Sequence, residues 1–201
     1  MSMFSIFSRL NSAAKQRSTA IHGCVPRGHR NPLCSRLSQR FVATRNRSGQ
    51  KLYSIAAIAE LAQPTAGAIE RGENTPALDT IERLAAALGV SPGWLSYGYE
   101  GLAPFRERRD RFFFEESDPV PDDALRSFRA THTGFADRLR LSRERSGLSM
   151  RALSAAAGVS VQAWSNAESG KVVPRVDTAE RMAVALGVAP SWLAFGEGIV
   201  N

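Results

Sequence analysis

At 201 residues, with 43% apolar and 22% charged side chains, the chain has room for one large soluble domain or two small ones. It has no run near the ~18 consecutive apolar residues of a membrane-spanning helix, and its opening MSMFSIFSRLNS lacks the apolar core and cleavage site of a secretory signal. The net charge of +7 is unevenly placed: residues 1–59 hold ten Lys or Arg and no acid, 60–124 sum to −7, 125–175 to +6 and the remainder to −2. Basic blocks separated by an acidic one suit a polyanionic partner touched at chosen places.

Residues 1–37 are basic, and their composition predicts a disordered arm of the kind that wraps nucleic acid. Translation from an over-early start codon or an organelle transit peptide would look the same. Within this arm Cys24 and Cys34 flank His29 and follow His22, without the close pairing that a metal site uses. They read as two free thiols in a loose segment, which suits a reducing cytoplasm.

From Arg45 the chain repeats itself. Residues 45–98 align without a gap on residues 143–196, RNRSG over RERSG and then IERGENTPALDTIERLAAALGVSPGWLSYG over AESGKVVPRVDTAERMAVALGVAPSWLAFG. Register is kept through Gly, Pro and Trp positions, so one fold is expected twice, over 38–101 and 132–198. The 102–131 segment between them carries charge runs and DPVPDD, which mark a linker. Its Phe112, Phe113 and Phe114 are expected to pack on a domain, with a partner-facing patch as the alternative.

The second copy has the cleaner signals. Phe135 and Leu139 share one face of a helix that Gly147 ends near Ser146. Ser149 is placed to cap a second helix, Met150–Ala157, which Gly158 breaks. Ser160 then caps a third, Val161–Glu168, before a loop through Gly170 and Pro174. Asp177 is read as the cap of a fourth helix, with Ala179, Met182, Ala183 and Leu186 as its buried stripe. Gly187 closes it, Pro190 opens a short fifth helix, and Trp192 and Leu193 are expected to plug the core. Two short helices joined by a Gly-containing turn describe a helix-turn-helix.

The combined pattern, GLS, GVS, E-x-G, a proline and ALGV-x-P-x-WL, resembles the phage repressor and Cro family of helix-turn-helix domains, also called the xenobiotic-response-element type. In the second copy the likeness runs from LRLSRERSGLSMRALSAAAGVSVQAWSNAESG to VALGVAPSWLAFGEG, and the first copy follows the same plan. The resemblance implies an all-α chain of two tandem five-helix, lambda-repressor-like domains. It also implies a transcriptional regulator, a repressor above all, that binds double-stranded DNA, in the cytoplasm of a bacterium or a phage host.

It implies as well that the third helix of each domain reads base edges. In the second copy the outward residues are Val161, Gln162, Ser165 and Asn166; Gln and Asn suit the N6/N7 edge of adenine, and Val161 a thymine methyl. Phosphate contacts are expected from Ser149, Ser160, Lys171 and Arg175. Met150 stands where relatives often have Gln, which removes one polar contact. Trp164 reads as core. Arg143 with Glu168, and Arg45 with Glu70, are expected to bridge the first and third helices as partly buried ion pairs.

The first copy departs at the positions that matter for reading. Glu60 replaces Gly158, Pro64 replaces Gln162 and Ala66 replaces Trp164, and Leu52–Gly101 carries a charge of −4. This copy is expected to keep the fold, to have weak or no base reading, and to serve packing or dimerisation, either in a homodimer or in a pseudo-dimer within one chain. No catalytic constellation, metal motif or phosphate-binding loop is visible, so no enzyme activity and no cofactor are expected. An antitoxin that also sequesters a protein at Phe112–Phe114, and a pure interaction scaffold, are the competing functions.

Overall fold

The computed structural model describes residues 33–102 and 131–197; Cys24, His22, His29 and Phe112–Phe114 lie outside them. Among the described residues the chain is helical, with no strand. The first domain holds α1 (Leu37–Ser48), α2 (Leu52–Ile58), α3 (Gln63–Glu70), α4 (Leu78–Leu88) and α5 (Pro92–Tyr97). The second holds α6 (Phe135–Ser146), α7 (Met150–Ala157), α8 (Val161–Glu168), α9 (Val176–Leu186) and α10 (Pro190–Phe195). Four of the five helices recur with identical bounds at the repeat offset, and α7 outruns α2 by one residue.

The repeat extends further upstream than Arg45. A 3₁₀ turn over Cys34–Arg36 matches one over His132–Gly134, and Leu33 and Leu37 are buried in the first core. Ordered, buried chain thus precedes residue 38. Cys34 sits half-buried in this turn instead of in a loose segment, and burial pushes its thiol well above its usual range. The sequence match fades here because Leu33 and Cys34 face Thr131 and His132, which share a backbone role and not a side chain. Likewise Thr131, just before residue 132, donates its N–H to Phe195 O at 3.1 Å.

Helix ends follow local chemistry. Ser149 and Ser160 accept from the N–H groups of Ala152 and Ala163 at 3.2 and 3.0 Å, satisfying donors that the first turn leaves open. Asp177 is not a cap: Arg175 holds the N-cap position of α9, and Asp177 lies in the first turn. There its carboxylate still faces the positive end of the helix. Leu186 is only half-buried, as is Trp192, whereas Leu193 is fully enclosed.

The turn between the second and third helices shows backbone overriding sequence. Gly158 has φ +64°, and Glu60 at the matching place has φ +54°, the sole non-Gly residue with positive φ among those described. A β-carbon in this region costs roughly 1–2 kcal/mol, yet the turn is kept. Arg83 and Arg181 both donate to the carbonyl of that turn residue, Glu60 O and Gly158 O, at 3.3 and 3.2 Å.

The cores exchange volume between positions. The second domain buries Trp164 on α8, against Leu139 and Ala167 at other core places. The first domain has Ala66 for Trp164 but Phe41 for Leu139, Ile69 for Ala167 and Ile81 for Ala179, all fully buried. Interiors pack close to crystal density, so a lost indole has to be replaced by bulk elsewhere.

The two domains pack on each other by contacts that each returns to the other. Leu78 N–H donates to Pro174 O at 3.1 Å and Val176 N–H to Pro76 O at 3.0 Å, so Ala77 and Arg175 form an antiparallel bridge. Glu180 Oε1 and Oε2 accept from the N–H groups of Leu33 (3.2 Å) and Cys34 (3.0 Å). Its counterpart Glu82 accepts from His132 N–H at 2.9 Å and lies 2.6 Å from His132 Nδ1. Helices α5 and α10 cross where Gly93 meets Ser191, and a Cβ on Gly93 would collide with the side chains of Ser191 and Glu197. Each pair joins residues that exchange under the repeat offset, which is the signature of a twofold axis.

Candidate functional site

A cluster of outward polar groups is built on the start of α7 and on α8. What holds α8 in place is a buried network on its inner side. Arg143 on α6 grips Glu168 with Nε at 3.0 Å from both carboxylate oxygens and Nη2 at 2.7 Å from Oε1, while Trp164 Nε1 donates to Oε2 at 3.0 Å. The Glu168 side chain is only 9% exposed. Burial alone raises a carboxyl pKa, but the hydrogen bonds from Arg143 and Trp164 outweigh it and keep Glu168 below its usual range, ionised and paired. The expected ion pair thus fixes the rotation of α8 about its axis.

In the first domain Arg45 reaches Glu70 at 2.8 Å through Nε, and the bridge again joins the first and third helices. With Ala66 in place of Trp164 no indole N–H joins in, and the Glu70 side chain is 18% exposed. This copy of the network is simpler and wetter.

With its inner side fixed, α8 turns Val161 and Gln162 to solvent, and Val161 is 45% exposed although apolar. Ser165 and Asn166 are half-buried beside them. Gln162 Nε2 donates to Asn166 Oδ1 at 2.8 Å, so the two amides are aligned along one helix face. This bond leaves a free amide oxygen on Gln162 and an amide NH₂ on Asn166, an acceptor and donor set that matches paired edge groups.

The expected anion-contacting residues surround this face. The Ser149 and Ser160 oxygens serve as caps, and each hydroxyl retains a proton to donate outward. Lys171 is exposed in the loop after α8. Arg175 is also exposed, but it lies at the junction of the domains and its Nη2 donates to Asn74 Oδ1 of the first domain at 2.8 Å. Val172 and Val173, beside Lys171, are 52% and 40% exposed. Among the described residues no group of His, Cys, Asp or Glu is arranged to hold a metal ion, and no helix is long and apolar enough to cross a membrane.

The sequence reading missed the residues that join the domains. Glu82 and Glu180 do this and recur at the repeat offset; Arg40 and Arg138 recur as well, but each ties together the two ends of its own domain. Arg138 Nε donates to Leu193 O at 2.9 Å and Nη2 to Thr131 O and Ala194 O at 3.2 and 2.9 Å. Arg40 binds Leu95 O and Leu33 O, each at 2.9 Å, and also Ser96 O. A carboxylate or guanidinium on a helix does not by itself tell which carbonyl or N–H it will meet.

The family described as "Helix-turn-helix domain" matches residues 135–194, and that described as "Helix-turn-helix" matches residues 45–95. No curated protein and no solved structure matches the chain.

Proposed function

We propose that this chain, which carries two tandem helix-turn-helix domains, is a sequence-specific regulator of transcription, a Cro/C1-type repressor, that reads duplex DNA with α8. The observation that carries this reading is the outward row of Val161, Gln162, Ser165 and Asn166 on a helix whose inner side is pinned by Trp164 and the Arg143–Glu168 pair. A rigid rod of this kind keeps its edge groups in register with base pairs. Ser149, Ser160, Lys171 and Arg175 lie around it, where phosphate contacts set position without choosing sequence.

The reciprocal bonds between the domains support a further part of the reading, that one chain is its own dimer. Helix-turn-helix dimers address half-sites about one helical turn, roughly 34 Å, apart. Here both halves are covalently joined.

Selection of duplexes from a random library by the purified full-length chain tests the proposal. An enriched motif is expected, with affinity falling steeply as salt rises. Gln162→Ala should relax preference at one or two base pairs, at about 1–3 kcal/mol of lost discrimination. Lys171→Ala should instead weaken all sequences alike and make the salt slope shallower by about one. Equal, sequence-blind losses from both variants would remove α8 from the reading role.

A further inference from the structure

We infer that the DNA site of this chain is not a palindrome: one half is read base by base by α8, and the other is held through its phosphates by the first domain, its sequence largely unread. This rests on the proposal that α8 reads DNA, and it follows from what the twofold arrangement does with two unequal domains.

A twofold rotation leaves position along its own axis unchanged. Whatever face the second domain turns along the axis, the first domain turns the matching face the same way. The bridge at Ala77 and Arg175 and the crossing at Gly93 and Ser191 place residues of the two domains opposite their own equivalents. If α8 lies on a duplex that crosses this axis, α3 and the α1–α2 corner lie over the same duplex on the other side of it.

The face that the first domain brings there has lost most of its means of reading. Against Val161, Gln162, Ser165 and Asn166, α3 has Gln63, Pro64, Gly67 and Ala68. Of these only Gln63 has a side chain that donates or accepts. Ser160 is replaced by Ala62, which supplies no side-chain cap. Lys171 is replaced by Glu73, which is paired with Arg71 at 2.8 Å, and Arg175 by Ala77.

Cations nevertheless remain at the α1–α2 corner. Arg47, equivalent to Arg145, and Lys51, which stands where Ser149 caps α7, are both exposed. Lys51 lines a shallow open groove with Asn46, Gln50, Tyr53 and Gln63. Positive and amide groups with little on α3 behind them suit a sugar-phosphate backbone and not base edges. The bond from Arg175 to Asn74 has no counterpart either, because Ala77 and Val172 occupy the exchanged positions. The asymmetry therefore reaches the axis itself.

The test uses the full-length chain, with its mass measured alone and on DNA by light scattering, and duplexes selected from a random library. The expected result is one chain per duplex and a single enriched half-site. Hydroxyl-radical protection should extend about one helical turn to one side of it, across positions without base preference. Ethylation of phosphates in that flank should interfere with binding, and Lys51→Ala should weaken every sequence alike while the enriched motif stays the same.

A graft sharpens the test: Gln63→Val, Pro64→Gln, Gly67→Ser and Ala68→Asn copy the α8 face onto α3. The nearest neighbour of a new Cβ at Gly67 is the flexible tip of Arg71, at 3.1 Å. Selection with this variant should yield an inverted repeat of the original half-site. Enrichment of an inverted repeat by the natural chain, two chains per duplex, or protection confined to the read half-site would overturn the inference and leave α8 as reader. No enrichment of any sequence would overturn the proposed function itself.

Discussion

Where the second domain turns Val161, Gln162, Ser165 and Asn166 outward from α8, the first offers Gln63, Pro64, Gly67 and Ala68 from α3, on a helix with the same bounds at the repeat offset. On their inner sides the two helices are held alike. Both domains keep the ion pair between their first and third helices, and both tie the turn carbonyl to an arginine of the fourth helix. Fold-bearing contacts have thus been retained where outward chemistry has diverged. The first domain has kept its shape and its half of the interface, whatever its outer face does.

The largest expected effect that separates the two domains lies in their cores. Trp164→Ala should destabilise the second domain by about 3–5 kcal/mol, because it empties a fully buried site. The first domain carries alanine at that place and has larger side chains, Phe41 and Ile69, at two other buried positions. Urea unfolding followed by circular dichroism measures this, and a loss below about 1 kcal/mol would mean that the cores are not volume-compensated as described.

Next in size is the ion pair. Glu168→Ala strands the Arg143 guanidinium and the Trp164 indole N–H together, at about 2–3 kcal/mol. Glu70→Ala strands only the more exposed Arg45 and should cost about 1 kcal/mol. Equal costs would show that the indole adds nothing to the network.

A smaller effect with the opposite sign is expected at the turn. Glu60→Gly relieves the positive φ that Gly158 adopts freely, and it leaves the carbonyl that accepts from Arg83 in place. A gain of about 1 kcal/mol in the first domain should follow. The matching Gly158→Glu change should lose a similar amount.

The smallest effect is a slope with pH at the domain interface. Burial holds the Glu197 carboxyl above its usual range, opposed by hydrogen bonds from the Ser91 hydroxyl and the Gly93 N–H. A raised folded-state pKa means that the favourable contribution is complete at acid pH and fades as pH rises through that elevated value. Glu197→Gln should flatten the dependence of the urea midpoint on pH over this range. A slope that survives the substitution would place its origin elsewhere.

Helix positions were legible from local chemistry alone. Ser149 and Ser160 announced helix starts, Gly147, Gly158 and Gly187 announced ends, and the alternation of Leu, Ala and Met set the buried stripes. The cap of α9 was misplaced because Asp177 suits both the N-cap and the first turn, and only the backbone angles of Arg175 separate the two. Trp164 was legible as core, and so was the pairing of Arg143 with Glu168, through the family resemblance.

That one fold occurs twice, with copies that differ in outward chemistry, is written in the order of residues, as repetition and as substitution. It took the packed chain to show that the copies face each other across a twofold axis, that Leu33 and Cys34 meet Glu180, and that Arg175 sits at the junction with a bond to Asn74. The physical reason is that helix caps and apolar stripes depend on neighbours within a few turns. The partners of Glu180, Glu82 and Arg175 across the interface instead lie between 49 and 147 residues away in the chain, and they are chosen by how whole surfaces fit.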